Sequence, residues 1–332
     1  MRITSRCRRT DGTSFANLYA TLTKRTGLPE ARAQKSPVDI AFIIGTGRCG
    51  TTLLAKMLNA NARICVPHEL QILFEEQTGN GHRLCEAFDR GVQLCWTADD
   101  FIAAIRAWCP YHFHRWFDYE RFFRSRTYPI VDLTALVKKL YTAIAQSAGK
   151  DVFVEQTPWY GQRLDILERL VPTARYIHVV RDGRDVAVSF ARTPWWSNDI
   201  GHNLLRWHDE VRTIQEGAAT LGIASRLLTV RYEDLVFEPE AELRRIVNFL
   251  GVRFEPSMLD TRGFARYELL YRDGEEELQR LSSRVFRHWF QSDKAPTFHG
   301  SVNSWRKCPD FDFMKTPPQT SQLLHELGYE YF

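Results

Sequence analysis

Two stretches of this chain hold residues whose types and spacing suit the binding of anions. In the first, Gly45-Thr46-Gly47-Arg48-Cys49-Gly50-Thr51-Thr52, the glycines fit two patterns at once. One is G-x-G-x-x-G, the dinucleotide fingerprint; the other is G-x-x-x-x-G-T-T, a phosphate loop with Thr51 where a lysine is usual. A phosphate loop needs backbone N–H groups curled round an anion at a helix N-terminus. Gly45, Gly50 and the hydroxyls of Thr51 and Thr52 supply that arrangement, and Arg48 adds a charged fork. The dinucleotide pattern has support of its own, because Glu69 follows the glycines at about 20 residues, a spacing suited to a ribose hydroxyl. Glycines can also be there for backbone geometry alone. The absent lysine argues against ATP hydrolysis, since that side chain serves the β- and γ-phosphates. Glu155, closing the run VFVE, imitates the metal-associated second motif only weakly. A donor with one 5′-phosphate and a less charged transferable group needs less cationic compensation.

The second stretch is RYIHVVRDGRDVAVSF, residues 175 to 190, where Arg181 falls at the end of a strand-like run and Ser189 one or two turns into the helix expected to start near Asp185. Open parallel sheets bind ligands at that edge. Arg181, Asp182, Arg184 and Asp185 could instead pair with each other and cap the turn. Two anion-competent strand ends in one sheet point to a nucleotide phosphorylated at two places.

The elements that must carry these residues are legible as four apolar runs, 40–44, 152–155, 175–180 and 226–232, separated by segments of helical period. Short, β-branched and continuous, they read as buried parallel strands in a βαβ pattern. A further strand can end near ICVPHE. TTLLAKMLN, GQRLDILERLV, DVAVSFAR and NLLRWHDEVRTIQEGAATLG read as the intervening helices. EPEAELRRIVNFLG and TSQLLHELG read as later ones, stopped by Gly251 and Gly328. Residues 70–150 differ: helical stretches surround the aromatic cluster at 108–123, and the interval reads as an insertion between the first two runs. His112 and His114 lack a carboxylate or cysteine at ligand spacing, so core or surface roles are expected rather than metal binding.

The chain has 332 residues, 44% hydrophobic and 13% aromatic, enough to bury a full core. No apolar run of about 18 residues is present and the N-terminus lacks a secretory apolar core, so no membrane span and a cytoplasmic location are expected. Seven cysteines without a C-x-x-C pair suit reduced thiols. The net charge of +4 is uneven: residues 1–37 hold eight Lys or Arg against two acids, leaving −2 for residues 38–332. The body is therefore no nucleic-acid surface, and residues 1–37 read as a basic arm, packed on the surface, contacting anions or serving as a targeting segment.

Five motifs in order, GTGRCGTTLL, VEQTPWY, RYIHVVRDGRDVAVSF, VRYEDLV and HGSVNSWRK, resemble the sulfotransferases that use 3′-phosphoadenosine 5′-phosphosulfate (PAPS), especially the bacterial group related to tyrosylprotein sulfotransferases. The resemblance runs from about residue 40 to residue 332 and implies an α/β fold: one P-loop NTPase-like domain over 38–332, with a mainly parallel sheet flanked by helices and the helical, aromatic-rich insertion at 70–150 on the acceptor side. It implies that Gly45, Thr46, Gly47, Arg48, Cys49, Gly50, Thr51 and Thr52 cradle the 5′-phosphate, and that Arg181 and Ser189 hold the 3′-phosphate. Tyr232 would lie near the adenine. Ser301, Val302, Asn303, Trp305 and Arg306 would belong to a segment closing over the nucleotide, although Tyr232 and Trp305 could equally be packing residues.

By the same resemblance Glu69 matches the catalytic base, with His68 the alternative, and Arg48 faces the leaving phosphate. Gln156 stands where the family often has a lysine, and Gln71 where the tyrosylprotein branch has an arginine that reads acidic peptides. These departures favour a small-molecule, glycan or lipid acceptor, sulfated on a hydroxyl or an amine, over a peptide. The aromatics at 108–123, Trp159, Tyr160, Trp195 and Trp196 are candidates for its pocket, with core packing the commoner fate of such residues. PAPS as donor, 3′-phosphoadenosine 5′-phosphate (PAP) as product, no metal, and a monomer or homodimer complete the expectation. The rival readings are a P-loop small-molecule kinase and a non-catalytic nucleotide-binding module.

Overall fold

The computed structural model describes residues 38–67, 69–70, 73, 97–108, 118–124, 133–193, 196–260, 298–311 and 316–329. The basic arm at 1–37, His68, Gln71, Trp195, His112 and His114 lie outside these residues. Five parallel strands form one sheet: β1 (Asp39–Gly45), β2 (Ile64–Cys65), β3 (Val152–Gln156), β4 (Arg175–Val180) and β5 (Leu227–Arg231), in the spatial order β2-β3-β1-β4-β5. β1 is central, paired in register with β3 (Phe42 beside Glu155) and with β4 (Ile44 beside His178). Strands buried on both faces must be apolar on both faces, which is why β1, β3 and β4 read as unbroken runs rather than alternating ones.

Ten α-helices are described: α1 (Thr51–Asn59), α2 (Ala98–Trp108), α3 (Tyr119–Arg124), α4 (Leu133–Ser147), α5 (Leu164–Leu170), α6 (Gly183–Ala191), α7 (Ile200–Thr220), α8 (Tyr232–Phe237), α9 (Pro239–Leu250) and α10 (Pro318–Glu326). They bury two apolar layers against the sheet. On one face Phe42, Ile44, Phe153 and Tyr176 meet α2 through α5 and part of α7, with Tyr141 stacked on Phe153 at 4.4 Å between ring centroids. On the other face Ala41, Ile43, Val154, Ile177 and Val179 meet α1, α6, α8, α9 and α10. Among the described residues no helix is long and apolar enough to cross a membrane.

The order of strands decides where a ligand can enter. The chain leaves β1 for β2 and β3 on one side, then crosses to β4 and β5 on the other, so helices diverge from the carboxyl end of β1. Such a switch point opens a crevice at the strand ends. The glycine loop, Arg181 and residue 156 all lie there.

Candidate active site

The loop 46–50 joins β1 to α1 by a backbone path that few residues tolerate. Arg48 has φ +64 and Gly50, the N-cap of α1, φ +99, whereas Cys49 between them does not have a positive φ. Alternation of left- and right-handed residues turns successive N–H groups toward one concave side, an anion-binding nest. The first turn of α1 carries no acid that would compete for its positive end. Packing also dictates the glycines: a Cβ on Gly50 would stand 2.2 Å from Cδ2 of Tyr232, and one on Gly47 2.6 Å from Cζ of Phe190. Cys49 is loop filler. Its Sγ donates to the Thr46 carbonyl at 2.6 Å, and burial pushes the thiol up to about 12, so it stays protonated and unreactive.

Two guanidinium groups converge on this loop. Arg48 donates from Nε to Ser189 Oγ on α6 at 3.0 Å. Arg181, just beyond β4, donates to the Arg48 carbonyl at 3.0 Å and to the Ser301 carbonyl at 2.6 Å, and lies 4.7 Å over the Tyr232 ring. Burial, then the charge of Arg181, holds the Arg48 pKa below the usual arginine range; Glu69 acts on it in the opposite sense. The Nε of Arg181 is buried with no hydrogen-bond partner among the described residues.

The wall behind Arg181 is acidic, and Asp185 in it pairs with Arg181 at 3.8 Å. Asp182 caps α6 by accepting from the Arg184 N–H at 2.9 Å and pairs with the Arg184 side chain at 2.7 Å. Asp185 reaches across to the turn at 303–305, accepting from the N–H of Asn303 (2.8 Å), the hydroxyl of Ser304 (2.8 Å) and the N–H of Trp305 (2.9 Å). Asn303 has φ +57, which brings these donors round to one carboxylate. The Trp305 ring lies between Arg184 at 4.1 Å and Arg306 at 4.7 Å. Tyr232, which opens α8 directly after β5, shares a 2.6 Å hydrogen bond with Ser301.

On the opposite side, Gln156 ends β3 with its amide Nε2 donating at 3.3 Å both to Thr51 on α1 and to the Glu69 carboxylate. The glutamine thus links the loop to the acid. Its neighbour Glu155 is fully buried and accepts from Thr157 Oγ1 at 2.8 Å and from the Leu70 N–H at 3.3 Å. Burial pushes its carboxyl up to about 8, with those two hydrogen bonds opposing the rise and Glu69 adding to it. Cations and donors on one side of the crevice, and an acid on the other, make an arrangement that can bind a nucleotide anion and take a proton from a second molecule.

A model of the sulfotransferase family matches residues 41–256. The chain belongs to the sulfotransferase family. This sulfotransferase is 27% identical to nodulation protein NoeE of Sinorhizobium fredii over 315 residues, which span 88% of the chain and 66% of that protein. It is 23% identical to protein-tyrosine sulfotransferase 2 of Gallus gallus, over 88% of the chain and 70% of that protein. Among solved structures, it resembles the sulfotransferase domain of the Synechococcus PCC 7002 olefin synthase, with 26% identity, 91% of this chain and 98% of that one covered, and a TM-score of 0.57. The sulfotransferase is therefore an enzyme of sulfuryl transfer on a P-loop-like α/β core.

Arg48, Thr51, Gln156, Glu69, Arg181, Ser189, Tyr232 and Ser301 are joined in one hydrogen-bonded or electrostatically coupled constellation. The candidates for the acceptor pocket lie differently. Tyr160 is fully buried in the core, its hydroxyl accepting from the Leu73 N–H at 2.9 Å, and Trp159 packs partly buried against the same layer. Trp196 stacks under Arg206 at 4.0 Å and donates to Asn203 at 2.9 Å. Helix α6 begins at Gly183, not near Asp185, because Asp182 takes the capping position and leaves Asp185 for the 303–305 turn. The sequence reading missed that use of Asp185, and it missed the bond from Glu155 to Leu70. The one available signal was an acid inside an otherwise apolar strand.

Proposed function

We propose that this sulfotransferase moves the sulfuryl group of PAPS to a hydroxyl or amine of a small-molecule, glycan or lipid acceptor, with Glu69 as general base and Arg48 stabilising the leaving phosphate. The observation that carries the proposal is the convergence of two like-charged guanidinium groups on a left-handed loop at a helix N-terminus, with a carboxylate on the far side. Neighbouring cations repel unless an anion offsets them; Arg181 pairs with Asp185 at 3.8 Å, and its Nε, buried without a partner among the described residues, is a donor that a phosphate would satisfy. The residues fit a bisphosphorylated nucleotide: the 45–52 loop and Arg48 for the 5′-phosphate, Arg181 and Ser189 for the 3′-phosphate, and Tyr232 and the 301–306 segment for the remainder.

When bound, PAPS supplies a sulfuryl group on a phosphate leaving group. Glu69 removes the proton of the attacking hydroxyl or amine, held in position by the Gln156 amide. Arg48 donates to the oxygen on which negative charge develops, and its bond to Ser189 fixes the guanidinium plane for that purpose. Gln156 brings a neutral donor where a lysine would bring a charge, so Arg48 carries more of the charge compensation. Gln71, at the position of a peptide-reading arginine, supports an acceptor smaller than an acidic peptide. Membership of the sulfotransferase family supports this reading over a small-molecule kinase.

Calorimetric titration with PAP, ATP and NAD tests the nucleotide. PAP is expected to bind most tightly and, at a hundred times its Kd, to stabilise the fold by about 2.7 kcal/mol. Binding of NAD but not PAP would contradict the proposal.

A further inference from the structure

Glu69, the base, and the nearby Leu70 and Leu73 belong to no strand or helix. Two side chains from the end of β3 and the turn after it hold them. Glu155 accepts from the Leu70 N–H at 3.3 Å, and the Tyr160 hydroxyl accepts from the Leu73 N–H at 2.9 Å. Thr157 fixes the Glu155 carboxyl in turn, donating to the same oxygen at 2.8 Å. The other oxygen of Glu155 is buried with no partner among the described residues. A charge on that unpartnered buried oxygen would be uncompensated, so the neutral carboxylic acid is the less costly form.

Resting on the reading of Glu69 as base, we propose that Glu155 is a positioning residue: it holds the Leu70 backbone, and so the adjoining Glu69, at the distance from Gln156 that proton abstraction requires. It does so in the neutral form. The charged group that acts on Glu155 is Glu69 itself, from the 69–73 segment; Arg48 acts on Glu69. From β1 its register neighbour is the uncharged Phe42, and from the turn after β3 come Thr157 and Tyr160. A proton lost from Glu155 therefore sets two carboxylates against each other and draws water toward a buried anion. Both effects outweigh the Leu70 and Thr157 hydrogen bonds, which favour the carboxylate, and they push the Leu70 segment away from β3. Because burial raises the Glu155 carboxyl from 4.5 to about 8, opening of the segment to water releases a proton between these values, so the loosening grows as pH rises through that range and levels off above it.

Hydrogen exchange at the Leu70 amide, corrected for intrinsic rate, reads the contact without any acceptor. Glu155→Ala is expected to speed that exchange about tenfold, the value of one net hydrogen bond of roughly 1.4 kcal/mol. Glu155→Gln, which keeps an acceptor oxygen, is expected to restore most of the protection. In the wild type this corrected protection falls as pH rises from 4.5 to about 8, and in Glu155→Gln it does not. Turnover of 35S-labelled PAPS with 2-naphthol as acceptor should follow the same order. Glu155→Ala lowers kcat about 10- to 100-fold, as expected for a base displaced by about 1 Å, at unchanged PAP affinity. Glu155→Gln recovers most of that loss and abolishes the fall of protection with rising pH. Equal Leu70 exchange in Glu155→Ala and wild type, or the same fall of protection between pH 4.5 and 8 in Glu155→Gln as in wild type, would overturn the proposal; if Glu155→Ala does not fold, the second comparison decides alone. Failure of the base reading shows separately, as wild-type kcat in Glu69→Gln.

Discussion

Gly50 gives the nucleotide site a point at which one methyl group should be felt. With φ +99 and a Tyr232 ring carbon 2.2 Å from where a Cβ would stand, Gly50→Ala meets two penalties. Left-handed backbone costs a non-glycine residue about 1–2 kcal/mol. The contacts of 2.2 and 2.7 Å to the ring are relieved by moving the aromatic side chain at least about 1.3 Å, since carbon atoms rest near 3.5–4.0 Å. Moving Tyr232 breaks its 2.6 Å bond to Ser301 and its cover over Arg181. The hydrogen bond contributes about 1 kcal/mol, and the cation–π contact about another 1 kcal/mol. If PAP binds only when both contacts are restored, their combined cost of about 2 kcal/mol is drawn from the binding free energy, which corresponds to roughly 30-fold weaker PAP binding.

Gly149 is the matched control. It has φ +72 with nothing within 4 Å of where a Cβ would stand, so Gly149→Ala carries the backbone strain without the contact. It is expected to lower stability by about 1 kcal/mol and to leave PAP affinity alone. Calorimetric titration of both variants makes the comparison directly. If Gly50→Ala binds PAP as tightly as Gly149→Ala, the ring contact does not support the nucleotide site.

Two further expectations concern charge. Arg48→Ala should lower kcat by about 100- to 1000-fold, the range for losing one transition-state donor, and weaken PAP binding far less. Arg48→Lys should recover only part, because a lysine cannot reproduce the Nε bond to Ser189; equal losses in kcat and PAP affinity would count against the role. His178 is buried in β4, its Nε2 without a partner among the described residues, and burial lowers its pKa from 6.5 to about 4. A depressed histidine contributes stability that is complete above pH 6.5 and lost as pH falls through 4, because the unfolded chain binds the proton first. Chemical denaturation of wild type and His178→Asn side by side should show their stability difference shifting by about 2 kcal/mol toward the variant between pH 7 and pH 5. Taking the difference removes Glu155, whose raised pKa acts with the opposite sign over pH 4.5 to 8. An unchanged difference would mean that His178 meets water or a partner in solution.

Much of this layout was legible because burial writes itself into local composition. β4 is the run RYIHVV, and α1 is TTLLAKMLN, since a strand covered on both faces and a helix following a glycine loop leave continuous signals. β2, by contrast, is two residues, Ile64 and Cys65, too short to show a period. The run 226–232 loses Tyr232 to α8, where it is needed beside Gly50 and Ser301. Arg48, Arg181 and Ser189 could be named from their motifs, yet nothing local says that the first bonds the third or that Arg181 reaches Ser301. Those contacts join residues 141 and 120 positions apart and exist only after the sheet has closed. Asp185 and Glu155 were hardest to read: each is an acid whose partners include backbone N–H groups of distant segments, and a backbone N–H leaves no mark in a sequence.

The central claim is sulfuryl transfer with Glu69 as base, and transfer of label from 35S-PAPS into a mixed panel of phenols, alcohols, amines and short glycans tests it most directly. The account predicts a labelled product with wild type, and with Glu69→Gln a rate lower by about 100-fold or more at unaltered PAP affinity. Labelled product formed equally fast by Glu69→Gln would contradict it.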